Sequence, residues 1–211
     1  MPKYGYTTIV TEPAAEPLTT EEVRNHLRID TYDDNTYLAS LIIAARRYIE
    51  NKTNRALVDR TIDWYFDCFP VGYRYQSPIE LPYPPLVSVT HVKYIDVNSV
   101  LQTWGSSYYT VDTVSTMGRI YPNYGQWYPT GVQDIPNAVV IRFVAGYTIT
   151  TDSPQDSPMD LAANIPQELK HAMLLFIGHY YNNREEVTAD NLLKIPMGIK
   201  SLINDYIVSR F

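Results

Sequence analysis

The hydrophobic pattern changes its period twice along the chain. In "LTTEEVRNHL", apolar Val23 and Leu27 lie four residues apart, preceded by Thr19 and Glu22. Thr19 is placed as an N-cap, Glu22 at N3 completes a capping box, and Leu18 can staple onto Val23 across the cap. A short helix from about Thr20 to Leu27 is expected, with acids in its first turn complementing its dipole. In "IDTYDDNTYLASLIIAARRYIENKTNRAL", Leu38, Leu41, Ile42, Ala45, Tyr48 and Ile49 recur at steps of three and four, the period of an amphipathic helix. Asp33 or Asp34 is its expected cap, and Asn51 to Asn54 its fraying end. Arg46, Arg47, Glu50 and Lys52 fall mainly off the apolar stripe. A helix of about 20 residues spans roughly 30 Å.

From Leu57 to about Tyr147 the period shortens. "TIDWYFDCF", "VSVTHVKYID", "SSYYTVDT" and "NAVVIRFVAGY" are rich in β-branched and aromatic residues, which favour strands. In "VSVTHVKYI", Val87, Val89, His91 and Lys93 alternate with Ser88, Thr90, Val92 and Tyr94, so both faces carry apolar character. The prolines of "PIELPYPPL" suit a sheet edge or an extended connection. Six or so strands fit, enough for a small antiparallel sandwich or barrel. After the polar "TTDSPQDSPMD", helical spacing returns. Pro166 suits a first helical turn, and Leu169, Ala172, Met173, Phe176, Ile177 and Tyr180 form the next stripe. Ile199, Leu202, Ile203, Tyr206 and Ile207 share one side of a last, shorter helix.

Helices therefore lie at both ends and strands between. Neither terminal helix pair alone buries enough surface to offset its ordering entropy. The economical arrangement is an α+β fold: a helical bundle made from the N- and C-terminal helices, with an inserted antiparallel β domain. The expected boundaries are an extended arm at 1–17, a discontinuous helical core at 18–56 and 161–211, the β domain at 57–150 and a polar loop at 151–160. Tyr37, Leu41, Tyr48, Phe176 and Tyr180 are expected in the packed faces of the core. The polar arm and the terminal "YIVSRF" are expected to order when a partner binds.

Composition narrows the functional classes. The chain has 211 residues, 45% of them hydrophobic and 19% charged, which is enough apolar material for a core. No apolar run approaches the roughly 20 residues of a membrane span, and "MPKYGYTTIVTEPAAEP" lacks the apolar stretch of a secretory signal. Cys68 is the single cysteine. That excludes an internal disulfide or a cysteine zinc cluster, and fits a reducing compartment. Seventeen Lys and Arg against 23 Asp and Glu give a net charge of −6, which repels DNA on average, since groove binding relies on clustered cations. The 19 tyrosines favour interfaces as well as sheets, because a tyrosine ring combines contact area with a polar handle.

Signatures of catalysis are missing. There is no GxxxxGK, GxSxG or HExxH pattern. His171 and His179 share a helix, followed by Glu185 and Glu186, but ligand pairs on helices come at i and i+4, whereas these lie about 12 Å apart along the axis. His26 and His91 read as ordinary surface or half-buried residues. Asp30, Asp33 and Asp34 are better explained by capping and solvation than by acid–base chemistry, and Cys68 among "WYFDCF" reads as a packed strand residue. The two N-terminal helices resemble a helix–turn–helix, yet the second starts with the acidic "DDNTY", which phosphate repels. No catalytic, cofactor-binding or metal-binding residue is assigned. "GRIYPNYGQWYPTG" concentrates four aromatic rings in a turn-rich segment. It fits three roles: a stacking platform for sugars or bases, a self-packed hairpin tip, or a surface pressed on a neighbour.

The ordered set "PLTTEEVRNHLRID", "DDNTYLASLIIAARRYIENKTNRAL", "IELPYPPLVSVTHVKYID", "YYTVDT", "GRIYP" with "WYP", "AVVIRFVAGY" and "IPQELKHAMLLFIGHYYNNRE" resembles the head–tail connector (adaptor, head-completion) proteins of tailed phages and prophages, in the longer branch with a β insertion. The likeness runs over nearly the whole chain. It implies a structural virion protein without catalysis or cofactor: a ring of about twelve copies on the portal axis, closed by heterologous contacts. Such a ring joins the DNA-filled head to the tail and helps retain the genome. The implied partners are further copies, the portal, and a downstream tail or stopper protein. Genome DNA passes without sequence-specific binding, no membrane is involved, and the host cytoplasm is the site of assembly. The resemblance also favours hairpin packing and subunit or partner contact for Tyr121, Tyr124, Trp127 and Tyr128, with Tyr206 and Phe211 as further contact candidates. The alternatives are an aromatic-rich carbohydrate-binding β module and a packaging factor that binds DNA directly.

Overall fold

The computed structural model describes residues 5–70, 77–148, 164–184 and 197–209. The expected polar loop at 151–160, Glu185, Glu186 and Phe211 lie outside the described residues. Two compact units emerge. One gathers the described residues up to Pro13 with Asp59–Gly146; the other gathers Ala14–Val58 with the described residues of Tyr147–Arg210. The chain is mixed α+β with antiparallel sheets.

The helical unit begins with α1 (Thr20–Leu27), and the local chemistry of its start is as expected. The Thr19 hydroxyl accepts the Glu22 N–H at 3.1 Å, while the Glu22 carboxylate accepts the Thr19 N–H at 2.6 Å. Leu18 and Val23 are both buried beside it. Helix α2 (Asn35–Thr53) runs antiparallel to α3 (Gln167–Asn182). The start of α2 bonds to the end of α3 through Asp34 and Tyr181, and residues after the short α4 (Met197–Ile203) return to the end of α2. There the Asn54 amide donates to the Val208 carbonyl at 2.6 Å, and the Val208 N–H donates to Thr53. Part of "YIVSRF" is thus held by the chain's own backbone rather than waiting for a partner. Leu38, Ile42, Ala45, Ile49, Leu169, Met173 and Ile177 bury into one core with Ile199 and Ile203. Each buried Leu or Ile contributes about 2 kcal/mol.

Three expectations about this unit are corrected. Asp34 stands at the N-cap position of α2 but makes no capping bond, because its carboxylate is taken by the Tyr181 hydroxyl at 2.5 Å and by Arg184 at 2.9 Å. Tyr180 and Ile207 end up exposed rather than inside the stripe; Tyr180, in the last turn of α3, packs one side of its ring on Phe176 at 4.5 Å and leaves the rest to solvent. Arg46 and Glu50 are buried rather than solvated. Arg46 forks onto Glu16 at 2.7 and 3.1 Å and reaches Glu50 at 3.1 Å, while the other Glu50 oxygen accepts the Leu57 N–H at 2.9 Å. The chain entering and leaving the helix folds back over these two side chains and supplies partners that the helical period alone does not reveal.

The strand unit holds two antiparallel sheets. Five strands, β1 (Gly5–Thr11), β2 (Arg60–Phe66), β8 (Val139–Ala145), β4 (Leu86–Ile95) and β5 (Leu101–Trp104), lie in that order. Three short strands, β3 (Ile79–Glu80), β7 (Arg119–Pro122) and β6 (Tyr109–Asp112), form the second sheet. Both contribute to one core: Ile62, Phe66, Val92, Ile141 and Phe143 from the first, Ile79, Tyr109 and Ile120 from the second. Along β8, Val139, Ile141, Phe143 and Ala145 are buried and the residues between are half-exposed, the two-residue period of a strand with one covered face. The proline-rich segment supplies β3, an edge strand.

Residues Gly5–Thr11, expected as an arm awaiting a partner, already pair with β2 from Gly5↔Phe66 to Thr11↔Thr61. They satisfy a row of β2 backbone groups that would otherwise be a bare edge. Two register shifts in β4, between Leu86 and Ser88 and between Val89 and His91, explain its two-sided pattern, since each extra residue flips the faces that follow. Cys68, expected inside a strand, follows the end of β2 and is exposed.

Candidate partner-contact surfaces

The aromatic segment divides by burial. Tyr121 lies in β7 opposite Thr110 and is half-buried. Tyr128 is 7% exposed. Its hydroxyl donates to the carbonyls of Ser77 at 2.9 Å and Ile120 at 3.2 Å, and its ring stacks on Phe69 at 5.5 Å with Trp104 5.4 Å away. Burial pushes its hydroxyl pKa up, because ionisation in an apolar site loses hydration. Tyr128 is therefore an anchor whose one polar atom is satisfied from within, as a buried tyrosine requires.

Between these two residues the backbone turns at Asn123, where the Gln126 N–H donates to the Asn123 carbonyl at 2.8 Å, and Gly125 takes a positive φ of 75°. A turn that requires φ > 0 suits glycine. The turn throws Tyr124 fully into solvent and leaves Trp127 68% exposed. Asn123 ties this loop to the β5–β6 connection by donating to Ser107 and accepting from Thr110. The next loop is tied to the β4–β5 turn: the Val97 N–H donates to Gly131, the Gln133 N–H to Ile95, and Asp96 bridges Val132. The Asp96 carboxylate accepts the Val100 and Asn98 N–H groups and the Gln102 amide, which hold its pKa below the ordinary range. Val97, Val100 and Leu101 on that turn are exposed. The rings stand on loops tied by hydrogen bonds, so they are presented at little further cost in ordering.

Tyr206, in the helical unit, is half-buried and donates to Glu168 at 3.0 Å; burial, then that hydrogen bond, raises its pKa. Its ring lies 6.0 Å from the Arg55 guanidinium, and Arg55 donates to the Tyr206 carbonyl. Phe211 lies outside the described residues. The six residues singled out in the sequence are therefore not one site. Tyr124 and Trp127 face solvent, Tyr128 anchors, and Tyr206 clasps the end of the helical unit.

Other polar clusters serve the fold. Asp63, 4% exposed, takes a two-pronged bond from Arg142, both prongs 2.7 Å, and this bond lowers its pKa. Arg184 lies 4.8 Å from the rings of both Tyr37 and Tyr181 while paired to Asp34. His26 and His171 meet edge to face at 6.2 Å, and burial, then the neighbouring His171, lowers the His26 pKa. Sequence gave no warning of these pairs, whose partners lie far apart in the chain. Among the described residues, no three His, Cys, Asp or Glu side chains gather to hold a metal, and no helix is long and apolar enough to cross a membrane.

Residues 18–122 match the phage gp6-like head-tail connector protein family. The matched span takes in α1 and α2 and continues through the strands to β7, so it draws on both units. Among solved structures, a chain of the native gene transfer agent virion is 24% identical at a TM-score of 0.68, covering 97% of this chain and 96% of that one. A chain from the neck of the empty gene transfer agent particle, solved with C6 symmetry, is 22% identical at 0.69, covering 98% and 97%. One from the neck of the native particle with C12 symmetry is 22% identical at 0.66, with the same coverage. These likenesses establish a shared fold across the full length. No curated protein matches the chain. Matched by family over its first helices and strands, and by fold from end to end, the chain belongs to the phage gp6-like head–tail connector family, structural proteins of the virion.

Proposed function

We propose that the protein assembles as a ring of about twelve copies below the portal of a phage-like particle, joining the DNA-filled head to the tail. The observation that carries this reading is the connector-family match over residues 18–122 together with a fold shared along nearly the whole chain with chains of particle necks. Sixfold and twelvefold necks among those relatives suit a ring of this size. The role is structural and needs no catalysis. A net charge of −6 lets duplex DNA pass without holding it, because few cations are available to displace phosphate counterions. The working place is the particle's head–tail junction, with the host cytoplasm as the site of assembly. Tyr124 and Trp127, and the exposed Val97, Val100 and Leu101, are assigned to contact with the portal or the tail-side protein. Tyr121, Tyr206 and Phe211 are assigned supporting contacts.

Electron microscopy of the chain mixed with its cognate portal tests this. A ring of this protein stacked coaxially on the portal is expected. Portal particles left bare at saturating concentrations of the chain would sink the reading.

A further inference from the structure

The five-stranded sheet is open, and its two edges share one unusual property. At one edge lies β1, "GYTTIVT", which holds no charge and no proline; at the other lies β5, "LQTW", which holds none either. Each strand between them carries charge: Arg60 and Asp63 in β2, Arg142 in β8 and Lys93 in β4. Soluble proteins ordinarily do the reverse, placing Lys or Pro on an edge to keep other strands away. Among the described residues, nothing pairs with the outer backbone groups of either edge strand. Both reach water: Tyr6, Ile9 and Val10 are exposed in β1, and Thr103 in β5. By joining β2, β1 moves the bare edge outward rather than removing it.

Two protective devices are present, each in part. β5 is four residues long, and β1 leaves regular register after Ile9. The regular stretch of β1, residues 5–9, is thus nearly the length of β5, so either can cover the other. Four antiparallel pairings separate the two edges, so β1 and β5 run in the same direction. A ring of twelve turns each copy by about 30° from the last, which preserves that sense. β1 of one copy then meets β5 of the next as a parallel pair. Because the edges are unlike, the contact is head-to-tail, the kind that closes into a ring, whereas β1 against β1 would stop at a dimer. Charge points the same way. Copies of net charge −6 repel one another, and two uncharged strands bring no like charges face to face.

We propose that neighbouring copies join edge to edge, β1 of one pairing with β5 of the next, so that the five-stranded sheets continue around the ring. The proposal rests on the connector reading and names the surface by which copies meet. Thr8 pairs with Asp63, off the core face that Ile62 lines, and Thr103 adjoins the buried Trp104. Side chains alternate along a strand, so Tyr6, Thr8 and Thr103 share the outer face and come together at the joint.

The test uses the full chain in a Cys68→Ser background, assembled on its cognate portal. Tyr6→Cys or Thr8→Cys, each combined with Thr103→Cys, puts cysteines on opposite edges of one copy. Four strand spacings hold them about 19 Å apart, too far for a bond within the chain. Mild oxidation of at least one of these double variants should give a ladder of disulfide-linked oligomers, and chains with only one of the cysteines should give none. Tyr6→Lys and Thr103→Glu should each raise the concentration needed for assembly about tenfold, with circular dichroism unchanged. The two changes together, or an equimolar mixture of the two variants, should recover it. A ring on the portal without a ladder overturns the proposal, as does a ring indifferent to both charges. A silent Thr103→Glu, the mark of β1 pairing with itself, overturns it too. All three leave the connector reading standing; a portal left bare by the wild-type chain sinks that reading and this contact with it.

Discussion

At the scale of single residues, the helical unit depends on ions taken out of water. Arg46 is 3% exposed and Glu50 is 4% exposed. Such a pair is supported by Glu16 and the Leu57 N–H, which bond to it from outside the helix, as buried charges need partners. Glu50→Ala should cost about 3 kcal/mol, measured by urea unfolding, because it removes one partner of a buried guanidinium and the acceptor of a buried N–H. Asp63 offers a pH signature. The Arg142 hydrogen bonds hold its pKa below the ordinary aspartate value of 3.8, and Tyr65 and His91 add to the effect. A group whose folded pKa is depressed contributes stability that is fully present above its unfolded pKa and is lost as pH falls through the folded one. The stability of the wild-type chain should therefore drop more steeply below about pH 3.8 than that of Asp63→Asn, as read from acid-unfolding curves monitored by circular dichroism.

At the scale of elements, caps and periods were the legible features. The bounds of α1 and its capping box follow from five residues, because a capping box is local chemistry. Here too the structure adds a long-range partner: Glu22 also accepts from Lys170, 6% exposed, at 3.3 Å. Thr19→Ala should therefore cost about 1 kcal/mol, the ordinary worth of a cap. Glu22→Ala should cost clearly more, since it also strips the partner from a buried ammonium. Urea midpoints of the two variants check the ranking, and equal losses would mean that the Lys170 pair contributes nothing. Strand β1 was not legible. Its sequence, "GYTTIVT", has strand propensity but neither a turn signal nor a strict alternation, and its place is decided by the open edge of β2. The register shifts of β4 escaped for a related reason: pairing with β8 sets them, and no local pattern announces a bulge.

At the scale of the whole molecule, function depends on what each unit offers outward. Tyr124 and Trp127 make few contacts within the chain, so alanine at both positions should move the folding free energy by no more than about 0.5 kcal/mol. Exposed aromatic residues at the centre of an interface commonly carry much of its binding energy. The same double variant should thus bind the portal or tail partner at least tenfold more weakly, about 1.4 kcal/mol, in a pull-down titration. An intact melting curve with unchanged binding would remove these two rings from the contact surface. The aromatic segment shows how far sequence could go here: it marked four rings as a group, but only backbone geometry separated the buried Tyr128 from its exposed neighbours.

Periodicity, capping chemistry and composition alone determined that helices flank strands, where most of those elements lie, and that the chain lacks the usual signatures of catalysis. Those properties are written in residues a few positions apart, within reach of local sterics and hydrogen bonding. Tertiary structure alone decided which charges are buried, that Gly5–Thr11 joins a sheet, that Asp34 serves Tyr181 and Arg184 instead of its own helix, and which tyrosines face outward. Each of those outcomes depends on groups distant in the chain meeting within a few ångströms, where desolvation and pairing outweigh any local preference.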